Sequence, residues 1–403
     1  MWLKGGQVYD VHKGAFNDTD ILIENGHISM LGKAPKNIGD VVNLDGAFLL
    51  PGFIDCHVHI CVNTESGDPN NPWRDALPGT IAIWAAQAAK RILHCGITSA
   101  REVGGWDYHE IAVREAINQG WIEGTRLFCA GRILTQTTST TPYFIGMYEE
   151  CDGADEVRKG ARKQLAQGAD LIKIMASGAM TSTKYERADA VQFRPDEIRA
   201  AVEIAEDNFT HVAAHAHATD AIRYATECGC RSVEHGTYGN EEVYGLMKDY
   251  GTFLVPTICV SSAMLNDQRV ADAMPKHIHD RYTGLRKLRI SNIRLAYQVG
   301  VKIAMGTDVG TPGNHAGDNM QEPIMMVNDC GLSPAEAIYA STWNPACLLG
   351  REETLGSIEE NKIADIIAVP GNPLDNIESL NDVFFVMKDG QMFRNDRSEA
   401  SLI

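Results

Sequence analysis

From residue 47 onward, short apolar runs rich in β-branched residues alternate with longer stretches whose apolar positions recur every three or four residues. That alternation predicts βα units arranged around a parallel sheet. The runs predicted as strands are AFLLPGFIDCHVHI (47–60), GITSAREVG (96–104), TRLFCAGRIL (125–134), ADLIKIMASG (169–178), HVAAHAHA (211–218), RSVEHGT (231–237), GTFLVPT (251–257) and GVKIAMGTD (300–308). Among the connections, PDEIRAAVEIAED (195–207) reads as a helix, with Pro195 suited to its first turn and Ile198, Val202 and Ala205 on one face. LPGTIAIWAAQAAKRILHCG (77–96) reads as another, with Gly96 placed to cap its C-terminal end. Eight strands with eight connections fit an α/β fold, a distorted (β/α)8 TIM barrel.

The two chain ends have a different texture. GGQVYDVHKGAFNDTDILIENGHISMLG (5–32) carries short strands and a tight-turn signal, ENGH, and the stretch from GSIEENKIADIIAVPGNPL (356–374) to VFFVMKDGQMF (383–393) repeats the pattern with KDG. We therefore expect residues 1–50 and 352–403 to form one small flanking β-sandwich domain, discontinuous in sequence. Residues 51–351 are then the barrel, with Pro51-Gly52 as the joint.

Charge narrows the partners. The chain has 36 basic and 53 acidic residues, a formal net charge of -17, which argues against nucleic acid or an anionic membrane surface. The first residues lack the basic-then-apolar order of a signal peptide, and TIAIWAAQAA is too short to span a bilayer, so a cytoplasmic location is expected. Ten cysteines without a CxxC pair are expected to be reduced, with Cys228 and Cys230 as small core or helix-end residues.

The candidate chemistry begins with His57 and His59, which share one face of their strand and can chelate one metal ion. An isolated HxH is weak evidence, because a hydrogen-bonded core histidine is the commoner explanation. Position changes the weighing. Lys173, His215 with His217, His235 and Asp308 all fall toward the C-terminal ends of predicted strands, the face where such barrels place their chemistry. Lys173 sits among apolar neighbours, where an ammonium is costly unless paired, neutral or modified. An internal ion pair is one solution. Reaction with carbon dioxide is another, giving a carbamate whose two oxygens can bridge two cations.

His215 and His217 share a face, so either can be the ligand and the other a supporting or substrate-contacting group. Glu234 is expected to point away from His235 and to be structural. Asp308 enters a Gly/Pro-rich loop, where a helix cap is the bland alternative to an anionic ligand that also exchanges protons. Four histidines, one lysine and one aspartate suit zinc, and two ions bridged by hydroxide form a hydrolytic site. No nucleophile elbow and no phosphate-binding glycine loop follows a strand, which argues against serine hydrolases and nucleotide enzymes.

Together, PGFIDCHVH, GITSAREVGG, LIKIMASG, AAHAHA, VEHG and GTD resemble the amidohydrolase superfamily over nearly the whole chain. They are most similar to its imidazolonepropionase-related branch, which includes Xaa-Pro dipeptidases and metal-dependent carboxypeptidases. The resemblance implies that His57, His59 and Asp308 hold a more buried metal, and His215, the first histidine of its strand, a more exposed one with His235. Carbamylated Lys173 and hydroxide would bridge two divalent ions, most readily zinc. Tyr238, in HGTY, would contact the substrate carboxylate or the oxyanion. The loop LTQTTSTTPYF (134–144) departs from the Gly-rich, His-containing loop of relatives, leaving Arg132 and Tyr143 as candidate contacts.

The implied activity is release of a C-terminal amino acid from a dipeptide or N-acyl amino acid by metal-hydroxide attack, with Asp308 and His235 in catalytic roles. Imidazolonepropionases typically use one metal and lack the strand-4 lysine, so Lys173 favours the binuclear peptidase side. The alternatives are a one-metal cyclic-amide hydrolase or deaminase of the same superfamily and, more remotely, a non-catalytic scaffold, which the retention of all six ligands disfavours. Relatives commonly assemble, so a homo-oligomer is expected.

Overall fold

The computed structural model describes residues 1–35, 39–64, 73 and 76–399. The chain divides into two compact units, one of Met1–Asp55, Arg91–Ser99 and Gly317–Ile403, the other of Cys56–Lys90 and Ala100–Ala316.

The parallel strands are β1 (Phe53–Val58), β2 (Ile97–Glu102), β3 (Arg126–Cys129), β4 (Ile172–Met175), β5 (Val212–Ala216), β6 (Ser232–His235) and β7 (Phe253–Val255). One sheet has the order β3-β2-β1, and a six-stranded sheet runs from the short strands Tyr148–Glu150 and Ile133–Thr135 through β4, β5, β6 and β7. Asp170 N–H donates to Cys129 O at 2.7 Å, connecting the end of β3 to the approach to β4. The helices between them include α1 (Pro78–His94), α2 (His109–Asn118), α3 (Ala154–Ala166), α4 (Pro195–Asp207), α5 (Thr219–Glu227) and α6 (Glu241–Tyr250). Three more helices, α7 (Cys259–Asn266), α8 (Gln268–Ala273) and α9 (Lys276–Val299), follow β7.

Strand alternation sets what faces the site. Ile172, Ile174, Ala214, Ala216 and Val233 pack into one core with Ile198, Val202, Ala205, Ile222 and Val243 of the helices. Lys173, Met175, His215 and His217, the intervening residues, consequently face a cavity on the other side. α4 has the expected limits and buried face, and the Glu197 carboxylate accepts from Arg194 N–H at 2.7 Å to close its first turn.

Two predicted strands are divided. The run 47–60 breaks at Gly52, so that Phe48–Pro51 joins a sheet of the first unit while β1 joins the parallel sheet. The run 125–134 breaks between β3 and Ile133–Thr135. The eighth predicted strand, 300–308, forms no ladder. It makes isolated parallel bridges, Leu254 with Ile303 and Val58 with Val309. Its backbone turns left-handed at Asp308 (φ 60°) and again at Gly310 (φ 112°). Regular pairing cannot continue through such residues.

At Gly310 a Cβ would lie 2.2 Å from His59 O, so only glycine lets the loop after Asp308 pass the His59 backbone. Gly310→Ala is expected to destabilise the protein by ~2 kcal/mol or more, and to lower metal content, because the displaced loop carries Asp308. Thermal unfolding and elemental analysis of the variant check this.

In the first unit, the six-stranded sheet has the order Gln391–Asn395, Phe385–Lys388, Ile366–Val369, Phe48–Pro51, Gln7–Asp10, Ala15–Asp18, so three strands from the C-terminal end join three from the N-terminal end where Ile366–Val369 pairs with Phe48–Pro51. A four-stranded sheet, His27–Gly32, Asp20–Glu24, Trp2–Lys4, Val41–Asn43, contributes Leu3, Ile21 and Ile28 to the same core as Leu49, Ile366 and Phe385. Both tight-turn signals form hairpins: Asn25-Gly26 (φ 51° and 80°) and Asp389-Gly390 (φ 53° and 72°) take the paired left-handed conformations that match strand twist. All ten cysteines are free thiols. Among the described residues, no helix is long and apolar enough to cross a membrane.

Candidate metal centre

Among the described residues, two clusters of potential ligand atoms lie in the second unit: His57, His59 and Asp308, and His215, His217 and His235. The His57 and His235 ring centroids are 5.0 Å apart, which joins the clusters into one site. Asp308 Oδ1 is 3.5 Å from His57 Nε2 and 3.4 Å from His59 Nε2. His235 Nε2 and His215 Nδ1 are 2.9 Å apart.

On each of these histidines the other ring nitrogen has its own partner. His57 Nδ1 bonds Glu234 Oε2 at 2.7 Å, His59 Nδ1 bonds Gly104 O at 3.1 Å, and His235 Nδ1 bonds Thr257 Oγ1 at 2.7 Å. His215 Nε2 lies 3.4 Å from Gly178 O. Partners of this kind orient an imidazole so that its remaining nitrogen can take a cation. Burial pushes all four imidazoles below their ordinary range, His215 to about 3, which keeps them neutral and able to ligate. His217 Nδ1 bonds Thr237 Oγ1 at 2.7 Å, and its ring stacks on His235 at 4.7 Å.

Lys173 is 1% exposed, and among the described residues its Nζ has no hydrogen-bond partner. Burial lowers its pKa to about 8, against the opposing pull of Glu234. A buried amine with no partner is incomplete as it stands. A group placed between Lys173 and the clusters would complete it, so the residues present fit a divalent-metal centre.

Glu234 departs from the expectation. It is fully buried and turned toward His57, and its other oxygen accepts from Arg101 Nη2 at 2.9 Å and from Ser232 Oγ at 2.5 Å. His235 takes φ 70°, which interrupts strand alternation and lets both neighbours reach the site. Thr257 (φ 49°) and Asp308 (φ 60°) are left-handed as well. Each such residue costs about 1–3 kcal/mol, which the surrounding packing offsets. Burial raises the Glu234 pKa, but Arg101 and then Lys173 outweigh it and hold the carboxyl well below its usual range. Glu234→Gln is expected to weaken metal binding by ~10–100-fold through loss of the His57 orientation. It should also destabilise the fold by ~3 kcal/mol, because Arg101 loses its buried counter-charge. Metal titration and chemical unfolding measure the two effects separately.

The clusters and Lys173 open into a cavity of about 350 Å³ whose wall includes Phe144, Met147, Met175, Met180, Met264 and Met274. Tyr238 is not part of that wall. It packs against the apolar cluster that includes Met180 and Tyr282, and its N–H donates to His217 O at 2.9 Å. Arg132 pairs with Asp107 and Glu149, and Tyr143 is 46% exposed, so neither reaches the cavity; Phe144 of the same loop does. Arg101 has no counterpart among the residues singled out in the sequence, although a charged residue inside an apolar strand (SAREVG) is a usable signal.

A parallel β/α framework that gathers two histidine clusters at its strand ends defines a metal-dependent hydrolase. The chain belongs to the amidohydrolase family, which it matches over residues 48–393 and whose members generally use divalent metals. It hydrolyses C–N bonds, as its relatives do. The ochratoxinase of Aspergillus niger is 31% identical over 378 residues, covering 86% of this chain and 75% of that protein. A Xaa-Pro dipeptidase solved with methionine in its active site is 31% identical, with a TM-score of 0.89 over 98% of this chain and 99% of that one. A prolidase complexed with N-methylphosphonate-L-proline is 28% identical, with a TM-score of 0.88 over 98% and 99%.

Proposed function

We propose that this chain is a binuclear-metal amide hydrolase that releases the C-terminal amino acid from a dipeptide or N-acyl amino acid, as a Xaa-Pro dipeptidase does, on a closed (β/α)8 barrel. The observation that carries the reading is Lys173. Its buried, unpartnered amine acts electrostatically on His57 and His59 of one cluster and on His215 and His235 of the other. Its lowered pKa leaves part of the amine neutral near pH 7, and the neutral amine is the form that adds to carbon dioxide, releasing a proton and leaving a carbamate.

In this reading His57, His59 and Asp308 would hold one ion and His215 and His235 the other, with carbamylated Lys173 contributing to both. Bound divalent ions, most readily zinc, supply an activated water and polarise the substrate carbonyl. Asp308 is the residue that would take up a proton at its carboxylate and deliver it to the leaving nitrogen. Its carboxylate lies beside two neutral imidazoles that do not compete for the proton. Glu234 and Thr257 keep His57 and His235 oriented throughout. The apolar wall excludes water from the rest of the substrate.

The test is elemental analysis of the active protein, combined with a panel of Xaa-Pro, Xaa-Arg and Xaa-Leu dipeptides and N-acyl amino acids assayed with zinc. About two ions per chain and cleavage of at least one panel member are expected. One ion per active chain, with turnover only of cyclic amides, would refute the reading.

A further inference from the structure

Of the imidazoles in the two clusters, His217 alone has no task in the reading above. It is 3% exposed and lines the cavity. Its main chain is fixed on both sides, since its N–H donates to Ser177 Oγ at 2.8 Å and its carbonyl accepts from Tyr238 N–H at 2.9 Å. Its ring is fixed by the 2.7 Å bond between Nδ1 and Thr237 Oγ1. Thr237 is in turn held to α9, its carbonyl accepting from Asn292 Nδ2 at 2.9 Å. Among the described residues Nε2 makes no hydrogen bond, so an imidazole tied at three points keeps one nitrogen for the cavity. A buried polar group arranged in this way is incomplete until something in the cavity bonds it.

Thr237 decides where the imidazole proton sits. Its hydroxyl is buried, and its Oγ1 bonds His217 Nδ1 and no other described residue. When the hydroxyl donates to Nδ1, both atoms are satisfied and Nε2 carries the imidazole proton. The opposite tautomer leaves the Thr237 proton without an acceptor. His235, which makes the matching bond to Thr257, is held to the other tautomer because its Nε2 must stay open for an ion. The His217 ring lies 4.6 Å from that of His215 and 4.7 Å from that of His235. A carbonyl oxygen drawn to an ion on those two histidines therefore comes within reach of the His217 N–H. Tyr238, which the resemblance assigns to the substrate carboxylate or the oxyanion, lies outside the wall and leaves that place open.

We propose that His217 is a catalytic residue, whose Nε2–H donates to the substrate's carbonyl oxygen and stabilises the negative charge that this oxygen gains as the amide carbon is attacked. A donor fixed before the substrate arrives stabilises such charge without having to reorganise. This rests on the amide-hydrolase reading above and adds a group that acts on the reacting atoms. It also keeps His217 out of the metal ligands.

The test uses the metal-loaded enzyme and two analogues of Ala-Leu that cannot be hydrolysed, compared by calorimetry. In the phosphinic analogue a tetrahedral, anionic P(O)O–CH2 unit replaces the amide, and in the reduced analogue CH2–NH replaces it and no oxygen is present. His217→Phe keeps a flat ring and removes the donor, His217→Asn can bond Thr237 but is too short to reach the carbonyl, and His217→Gln places an amide N–H near the position of Nε2. The Phe and Asn variants are expected to weaken the phosphinic analogue by ~100-fold and the reduced analogue by no more than about threefold. They should lower kcat by ~10²–10³-fold with KM within about threefold of the wild type and about two ions per chain retained. His217→Gln should recover at least about tenfold of the lost kcat and of the lost phosphinic binding. A His217 that only packs would shift stability and leave the ratio of the two analogues unmoved. Equal weakening of both analogues, binding of neither to the wild type, wild-type kcat in the Phe or Asn variant, or loss of an ion from these variants overturns the proposal. Turnover of the dipeptide panel by the wild type is scored separately. If phosphinic selectivity depends on His217 but nothing is hydrolysed, the amide-hydrolase reading fails while the donor stands; if the panel is cleaved equally well without the donor, the reverse holds.

Discussion

Asp308→Asn is expected to lower kcat by ~10³-fold or more while leaving the fold intact. Asparagine retains an oxygen beside His57 and His59 but cannot accept and return a proton. The substitution is unusually clean for the backbone, since Asp308 sits at φ 60° and asparagine tolerates that left-handed region at least as well as aspartate. Melting temperature and circular dichroism should therefore match the wild type, and metal content should stay close to it. Wild-type turnover in this variant would remove Asp308 from the proton path.

Lys173→Ala is expected to reduce bound metal from about two ions per chain to about one and to lower kcat/KM by at least ~10²-fold. The vacated space offers a direct control. A short carboxylic acid such as propionate, supplied in solution, presents two oxygens where the carbamate would be and should restore part of both metal content and activity. An alanine variant that keeps both ions and full activity would show that Lys173 is not a bridging ligand. The same measurement separates this enzyme from a one-metal cyclic-amide hydrolase, in which the second ion would be absent from the wild type as well.

Much of the candidate site is legible in the chain because strand geometry is local. Side chains two residues apart share a face whatever the rest of the fold does, so HxH at 57–59 and at 215–217 announces paired imidazoles. Lys173 stands out because a cation within an apolar run needs an explanation. Glu234 was misread for the complementary reason. Alternation placed it on the opposite face from His235, and the left-handed conformation of His235 that breaks the alternation has no signature in VEHG. Tyr238, which the resemblance assigns to the substrate carboxylate or the oxyanion, lies outside the cavity wall, which includes Tyr282 and Arg289 of α9.

The alternating β and α elements, the tight turns at Asn25-Gly26 and Asp389-Gly390, and the residue types that gather at the strand ends are legible in the chain alone. Apolar period, turn chemistry and the cost of burying charge are properties of short segments, so they can be read without knowing the fold. Three-dimensional packing alone brings Glu234 to His57, leaves the chain from 300 to 308 with bridges and no ladder, and turns Arg289 to the same cavity as Lys173. These are relations between residues far apart in the chain, set by which side chains the packing brings into hydrogen-bonding distance. No local period encodes them.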